Sequence, residues 1–219
     1  MKITILTDKT SWMNKYDVEL KNKLLKLGHS VKIIHSKNAL SRGDIAFFLS
    51  CFELIKEDKL KLNKHNIVVH PSDLPKGKGW SPTSWQILEG KNKIPLSLFE
   101  AVESVDAGDI YLKDSIVLNG SELADEWRVK IANKIIDMCL CFTKKNQNNT
   151  IKGIKQKGKS TFYKKRTPID CELNVNKSIA QQFNLFRIID NELYPAFFRF
   201  KGKIFKLKIE EFKGCKYFE

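Results

Sequence analysis

One histidine of this sequence occupies a position where a side chain could do acid–base chemistry. His70 follows the apolar run 66–69 and opens a loop rich in proline and glycine, residues 70–82. Parallel sheets present the carboxyl ends of their strands to a crevice, so we expect the His70 imidazole to be held at such a crevice. Imidazole exchanges a proton near neutral pH more readily than other side chains. A structural role in the loop is the alternative, and it applies equally to the other three histidines: His29, His35 and His65.

The segments before His70 predict alternating strands and helices. Four strands are expected, at Lys2 to Thr7, Ser30 to His35, Asp44 to Leu49 and Asn66 to Val69. Val18 to Leu27 has apolar residues at helical spacing, and Gly28 ends that helix. The predicted fold class is α/β, a Rossmann-like, mostly parallel sheet with helices on both faces. Residues 8–12, after the first strand, contain no glycine, so the dinucleotide fingerprint that would indicate NAD or FAD is absent.

The second half of the chain predicts more elements and a small appendage. Three prolines and two glycines exclude regular structure over residues 70–82. Beyond that loop we expect a helix at Thr83 to Glu89, strands at Pro95 to Val102 and Asp109 to Leu118, a long helix capped by Ser121, a helix at Asn176 to Ile189, and a hairpin at Pro195 to Ile209 that turns at Lys201-Gly202. The predicted division is a main catalytic domain, residues 1–150, and a small C-terminal α+β subdomain, residues 151–219, with the possibility of a shared core.

Two sequence patterns carry a family resemblance. NIVVHPSDLPKGKGWSPTSWQILEG, residues 66–90, precedes SLFEAVESVDAGDIY, residues 97–111. Together they resemble the signature of the 10-formyltetrahydrofolate-dependent formyltransferases, in which a strand ends in His-Pro-Ser, Leu-Pro and a glycine follow, and an Asp-x-Gly turn comes later. This chain has the same order: His70-Pro71-Ser72, Leu74-Pro75, Gly79 and Asp106-Ala107-Gly108. The likeness covers residues 1–118, and the tail is more loosely similar to small bacterial sugar-type N-formyltransferases.

The resemblance implies that His70 and Asp106 are catalytic. When a neutral amine attacks a formyl carbon, negative charge develops on oxygen and positive charge on nitrogen. An imidazolium would stabilise the oxyanion, while Asp106 would fix the histidine tautomer and accept the amine proton directly or through water. This chemistry requires no metal. The family's asparagine two positions before the histidine is Val68 here, and losing such a donor costs roughly a hundredfold to a thousandfold in turnover; we leave open Ser50, Ser72 or a backbone N–H as its replacement.

The resemblance also implies that N10-formyltetrahydrofolate binds at the end of the third strand. Relatives hold the pterin where this chain has Leu49, Ser50 and Phe52. The segment from Phe99 to Asp106, which includes Val102, would form the opposite wall. Leu49 would be buried in any such sheet, so Ser50 and Phe52 are the distinctive members of this set.

The sequence indicates the acceptor amine less directly than it indicates the formyl donor. We expect a small anionic acceptor, a nucleotide-linked amino sugar used in bacterial surface glycan (lipopolysaccharide) synthesis, contacted by four residues: Ser11, Trp12, Trp80 and Arg166. Capping by Ser11 and loop anchoring by Trp80 are the alternatives. Three other functions stay open: a methionyl-tRNA formyltransferase, which the chain length disfavours, a formyltetrahydrofolate hydrolase, and a non-catalytic basic binding module.

The charge and cysteine content limit the cellular setting. The net charge of +14 suggests an anionic partner, and residues 144–166 contain nine Lys or Arg and no acid, a composition typical of a solvated connector. Five cysteines at irregular spacings predict reduced thiols. The chain has no apolar run long enough for a membrane span and its start does not resemble a signal peptide, so we expect a cytoplasmic protein with no membrane span. Nucleic-acid binding is disfavoured, and homodimerisation through the tail hairpin is left open.

Overall fold

The fold is built on one six-stranded sheet. In the computed structural model, which describes residues 1–212, the strand order is β2-β1-β3-β4-β6-β7. β1 pairs in parallel with β2 and β3, and β3 with β4, whereas the β4–β6 and β6–β7 pairs are antiparallel. The strands of this sheet are β1 (Lys2–Leu6), β2 (Ser30–Ile34), β3 (Gly43–Phe48), β4 (Asn63–His70), β6 (Lys93–Glu100) and β7 (Ile110–Val117). The predicted α/β class with a mainly parallel sheet is confirmed.

Helices cover both faces of the sheet because its strands alternate apolar side chains between the faces. Ile5 and Phe47 point into a core shared with α1 and α4, whereas Leu6 and Phe48 pack on the opposite face near Leu60 of α2. The helices are α1 (Asn14–Lys26), α2 (Glu57–Leu60), α3 (Pro82–Leu88), α4 (Ala124–Gln147) and α5 (Phe183–Arg187), with short 3₁₀ helices at Lys37–Ala39, Pro168–Cys171 and Ala180–Gln182.

Two small strand pairs lie outside the main sheet. β9 (Ala196–Phe200) and β10 (Lys203–Leu207) form the tail hairpin, as predicted, with the turn at Lys201-Gly202. The other pair, β5 (Lys78–Gly79) and β8 (Phe162–Tyr163), is parallel. β5 corrects the prediction that residues 70–82 contain no regular structure: backbone groups of β8, more than eighty residues later, pair with this loop.

Two helix predictions also need correction. The long helix begins at Ala124, and Ser121 does not cap it, since the Glu122 carboxylate accepts the backbone N–H groups of Asn119 and Gly120 and the chain is still turning there. The tail helix is shorter than expected, because polar side chains in residues 174–182 bond to nearby backbone and stabilise turns before α5.

Three findings concern the predicted setting of the chain. Among residues 1–212, no helix combines the length and apolarity that crossing a membrane would require. The same residues contain no group of three or more His, Cys, Asp or Glu side chains that could hold a metal ion. Four cysteines of this part are free thiols: Cys51, Cys139, Cys141 and Cys171. Cys215, the fifth, lies outside the described residues.

Candidate active site

His70 is the last residue of β4 and lies at the carboxyl edge of the sheet. Its side chain is largely buried, with 9% of its surface exposed. Nε2 lies 2.8 Å from the carbonyl oxygen of Gly77 in the following loop. A carbonyl oxygen can only accept a hydrogen bond, so Nε2 must carry the proton in this arrangement. The loop therefore selects the tautomer of His70.

The loop that follows His70, residues 71–81 (the catalytic loop), is held from below by β6. The hydroxyl of Ser97 donates to the carbonyl of Ser72 at 2.7 Å and accepts the N–H of Leu74 at 3.3 Å. Ser97 is fully buried and pairs with His70 in the β4–β6 register. The same strand therefore supports the histidine and fixes the path of the loop.

Asp106 comes to the same place from the segment between β6 and β7. Its Oδ2 lies 3.8 Å from His70 Nε2, which is within ion-pair range but too long for a hydrogen bond. The same oxygen accepts the backbone N–H of Gly79 at 2.8 Å. Asp106 has φ of 49°, a left-handed conformation that aspartate tolerates better than most residues. The structure thus brings together the two residues predicted to be catalytic, while their roles stay predictions.

The segment of residues 151–166, which we call the crossing segment, passes over the catalytic loop. Gly77 N–H donates to Thr161 Oγ1 at 2.8 Å, and Lys78 N–H donates to the carbonyl of Thr161 at 2.9 Å. Trp80 N–H donates to the carbonyl of Tyr163 at 3.2 Å. The second half of the predicted solvated connector is mostly exposed, as expected, but it also pairs with this loop, which the prediction did not include. The contacts use backbone groups and one threonine hydroxyl, which no apolar spacing in the sequence signals.

Aromatic rings form the rim of the site. Phe52, which is 57% exposed, stacks on Trp80 with ring centroids 5.6 Å apart and an interplanar angle of 19°. Lys165 of the crossing segment places its ammonium 5.0 Å from the centre of the Trp80 ring. Trp80 is thus anchored between two neighbours, while the second face of Phe52 is available to a flat ligand.

The residues predicted to bind folate fall into two groups. Leu49 and Phe99 are buried, at 1% exposure each, and pack in the core, so their side chains cannot wall a cleft as expected. Ser50, with φ of 55°, and Phe52 follow β3, and Val102, 42% exposed, follows β6. These two segments are adjacent because Cys51 and Ala101 pack against one apolar cluster. An exposed aromatic ring and an exposed aliphatic side chain therefore lie on neighbouring segments, and apolar side chains of this kind commonly line ligand sites.

Cys51 stands between these segments but is not a nucleophile. Burial, with added effects from the carboxylates of Asp8 and Asp17, raises the pKa of its thiol well above the usual range. Its Sγ donates to the carbonyl of Leu6 at 3.0 Å. Because the thiolate is the reactive form of cysteine, Cys51 has a packing role.

The residues predicted to bind the acceptor are not gathered in one place. The Ser11 hydroxyl accepts Met13 N–H at 3.1 Å, which is the capping alternative, and the Trp12 ring packs edge-on against Tyr16. Arg166 corrects the prediction of a substrate contact: it is 8% exposed and donates to Ser84, to the Ile188 carbonyl and to the Cys171 sulfur, so its guanidinium is occupied inside the protein. Trp80 alone of the four adjoins the His70–Asp106 pair.

Val68 leaves the site without the amide donor of the resembling family. Its side chain is partly buried against Leu74 and Phe99. The Ser72 hydroxyl has no hydrogen-bond partner, yet Ser72 is only 2% exposed. Ser50, at intermediate exposure in the segment after β3, is more accessible. Which donor replaces the asparagine stays a prediction.

Fold and site together define a class of protein: an α/β sheet of order 2-1-3-4 with an imidazole and a carboxylate at the carboxyl edge, beside the switch point where such sheets bind ligands. The family model for formyl transferases matches residues 30–138, which include both side chains. The chain belongs to this formyltransferase family. Proteins of the family are enzymes that transfer formyl groups from N10-formyltetrahydrofolate.

Curated relatives include two methionyl-tRNA formyltransferases. The one from Mycoplasma mycoides is 27% identical over 190 residues, and the one from Mesoplasma florum is 29% identical over 194 residues. The matched regions cover 82% and 85% of this chain but 60% of each relative. The chain thus spans about 60% of the length of these relatives.

Solved structures share the fold. A methionyl-tRNA formyltransferase from Clostridium thermocellum has a TM-score of 0.77 at 23% identity, covering 94% of this chain and 96% of that one. A 4-N formyltransferase from Francisella tularensis has a TM-score of 0.73 at 17% identity, covering 97% and 98%. HypX from Aquifex aeolicus in complex with tetrahydrofolic acid has a TM-score of 0.78 at 17% identity, covering 93% and 36%.

Proposed function

We propose that this chain transfers the formyl group of N10-formyltetrahydrofolate to the amine of a small anionic acceptor, a nucleotide-linked amino sugar. The observation that carries the proposal is the 3.8 Å approach of His70 Nε2 and Asp106 Oδ2 at the carboxyl edge of the sheet. Family membership supports the formyl donor. The choice of acceptor is supported by the charge and the aromatic rings around the site.

The proposed reaction uses this pair to handle charge. The amine nitrogen forms a bond to the formyl carbon, and the formyl oxygen becomes an oxyanion that the Nε2–H of His70 stabilises. Asp106 takes a proton from the attacking nitrogen. The bond from carbon to N10 then breaks, N10 receives a proton, and the products are a formamide and tetrahydrofolate. Both steps need the two side chains within reach of one reacting carbon, which their separation permits.

The donor would lie between the segments that follow β3 and β6. Phe52 offers one exposed ring face, and Val102 offers an aliphatic surface on the opposite side. When bound, the folate supplies the activated one-carbon unit. The contribution of the chain is to exclude water from the formyl carbon and to place it against His70.

An anionic acceptor is favoured by the lysines near the site. Five exposed lysines of the catalytic loop and the crossing segment are assigned this role: Lys76, Lys155, Lys157, Lys159 and Lys165. Lys78 of the same loop is buried. A phosphate group requires only a few such contacts, and Trp80, which is partly exposed beside the His70–Asp106 pair, leaves part of its ring for a base. Lysines without interleaved arginine give little base readout, which fits a small nucleotide better than a specific nucleic acid.

Methionyl-tRNA is the second candidate, because the curated relatives carry that name. The test is to incubate the protein with N10-formyltetrahydrofolate and either a panel of nucleotide-linked amino sugars or charged initiator tRNA, and to follow tetrahydrofolate release together with the mass of the acceptor. A gain of one formyl group on a sugar supports the proposal. Formylation of the charged tRNA and of no sugar would show that the acceptor is methionyl-tRNA and not an amino sugar.

Two further outcomes would reject transfer itself. Release of formate without any acceptor would identify a hydrolase. No turnover at all, combined with nucleic-acid binding that weakens steeply with salt, would indicate a binding module.

A further inference from the structure

One side chain outside residues 30–138 contacts the turn that carries Asp106. The amide nitrogen of Gln156, in the crossing segment, lies 2.9 Å from the carbonyl oxygen of Asp106 and 2.9 Å from that of Gly108. Both partners can only accept, so the amide nitrogen must face them, and the orientation of the side chain is not ambiguous. Gln156 therefore bridges the two ends of the Asp106-Ala107-Gly108 turn.

The oxygen of the same amide has no hydrogen-bond partner. Gln156 Oε1 is buried and has no hydrogen-bond partner. An unpaired buried acceptor is unfavourable, so the bonds donated by the nitrogen must offset its cost. The structural contribution of Gln156 therefore comes from its N–H groups and not from its carbonyl oxygen.

The turn needs such support because its backbone is strained. Asp106 is in the left-handed region, and Gly108 approaches the Glu100 backbone so closely that a Cβ atom there would lie 1.7 Å from the Glu100 carbonyl oxygen. Strained backbone persists only where its surroundings over-determine it. Two such constraints are visible: the Gly79 N–H on the carboxylate of Asp106 and the Gln156 amide on its carbonyl.

We propose that Gln156 is a positioning residue that holds the Asp106 carboxylate at its working distance from His70, so that the crossing segment is part of the catalytic apparatus. The inference rests on the proposed function and deepens it. Small displacements of reacting groups are costly, at roughly ten- to a hundredfold in rate for shifts of about 1 Å. The effect is expected in turnover, because Gln156 contacts two backbone carbonyls of the turn and neither of the side chains proposed to bind the pterin, Phe52 and Val102.

The decisive variants change the donor group at position 156: glutamate has the length of glutamine, and lysine is one atom longer. Gln156→Glu presents a carboxylate to two carbonyls, and we expect turnover to fall at least about tenfold with an unchanged folate KM. Gln156→Lys restores N–H donors that reach both carbonyls and should return turnover to within about threefold of the wild-type value. The turnover of the Gln156→Glu variant, divided by the wild-type turnover at the same pH, should rise as pH falls from 8 to 5. The carboxyl group of the variant side chain gains an O–H donor when it is protonated.

The controls are exposed residues close to Gln156 in the chain. Ile154→Ala and Ser160→Ala alter exposed side chains on either side and should leave the folate KM and turnover at saturating acceptor unchanged. The readout that does not depend on activity is the NMR signal of the His70 ring. It should be displaced in the Glu variant and keep its wild-type position in Gln156→Lys and in both control variants.

The results separate this inference from the proposed function. A wild-type protein that formylates no acceptor defeats the proposed function, while the His70 signals still test Gln156. A folded Gln156→Glu variant with wild-type turnover and an unmoved His70 signal overturns the positioning role. If Gln156→Glu fails to fold, Gln156→Lys decides: near-normal turnover supports the role, and a loss of tenfold or more in a folded protein overturns it.

Discussion

The chemistry proposed for the individual residues depends on a single N–H. His70 Nε2–H faces the Gly77 carbonyl at 2.8 Å and the Asp106 carboxylate at 3.8 Å. A substrate oxygen that approached His70 would compete with the Gly77 carbonyl for the Nε2–H, whose direction the loop already fixes. The loop fixes the tautomer, and the Asp106 carboxylate faces the same ring nitrogen, so we expect the two residues to act as a unit.

The first prediction concerns this pair. His70→Ala and Asp106→Asn should each lower turnover at least about a hundredfold, because each removes a partner in proton transfer and charge stabilisation. Folate affinity should stay close to the wild-type value, since the side chains proposed to contact the pterin are those of Phe52 and Val102. Turnover and the Kd for tetrahydrofolate are the measurements. Asp73→Asn, an exposed aspartate in the same loop, is the control, and wild-type rates in either test variant would contradict the assigned roles.

At the scale of elements, the catalytic loop is stabilised by the β5–β8 pair. Gly79 has φ of 94°, and a Cβ atom there would lie 2.6 Å from the Tyr163 carbonyl oxygen. Its N–H is also the donor to Asp106. A glycine is therefore required at this position both for its backbone conformation and for the close approach of the crossing segment.

The second prediction compares two glycines of positive φ. Gly79→Ala should separate β5 from β8, lower the melting temperature and reduce turnover by more than about tenfold, because the N–H on Asp106 moves with the backbone. Gly158 has φ of 105°, but nothing lies within 4 Å of a carbon added there. Gly158→Ala should therefore lower the free energy of unfolding only by the local strain of about 1 kcal/mol. Thermal melts and steady-state rates of both variants provide the test. Equal effects of the two substitutions would show that the strand pair does not matter.

At the scale of the whole molecule, buried polar contacts connect the tail to the main sheet. Arg187 is 1% exposed, and its Nη2 lies 3.5 Å from Glu122 Oε2. Trp127 of α4 donates to the Arg187 carbonyl at 2.9 Å, and Ile188 belongs to the main core. The proposed boundary at residue 150 thus separates segments that share contacts, and we expect them to unfold together.

The third prediction uses the pH dependence of this connection. Desolvation opposes the charge of Glu122, but hydrogen bonds from Lys130 and from backbone N–H groups outweigh it and lower its pKa to about 2. The folded-state pKa lies below that of the unfolded chain, so ionised Glu122 stabilises the fold above about pH 4.5, and this contribution disappears as pH falls toward 2. Glu122→Gln should therefore lower the free energy of unfolding by about 3 kcal/mol at neutral pH, with a difference from wild type that shrinks between pH 4.5 and 2.

Chemical denaturation at several pH values tests this prediction. Asp125→Asn is the matched control, because the Asp125 side chain is 91% exposed and should change stability little at any pH. A difference between Glu122→Gln and wild type that stays constant down to pH 2 would show that the ionisation of Glu122 does not stabilise the connection.

The amino-acid sequence by itself determined the α/β class, the parallel strands and the tail hairpin. These follow from local patterns: apolar runs bounded by turn residues, a helix ended by Gly28, and the Lys201-Gly202 turn. The same order of residues pointed to His70 and Asp106 through a family resemblance. Patterns of this kind can be recognised in a sequence because each depends on residues that are close together in the chain.

The tertiary structure decided what lies around those two residues. β8 pairs with the loop through backbone groups, and the Gln156 side chain donates to backbone carbonyls of the Asp106 turn. Backbone groups have the same chemistry in every residue, so neither contact leaves a pattern in the sequence. Arg166, which looked like a ligand for an anion, is enclosed by Ser84, Ile188 and the nearby Cys171, and Phe99 is enclosed by core side chains. Burial and long-range pairing are properties of the packed chain, so only the tertiary structure could show that part of a basic connector contacts the turn that carries Asp106.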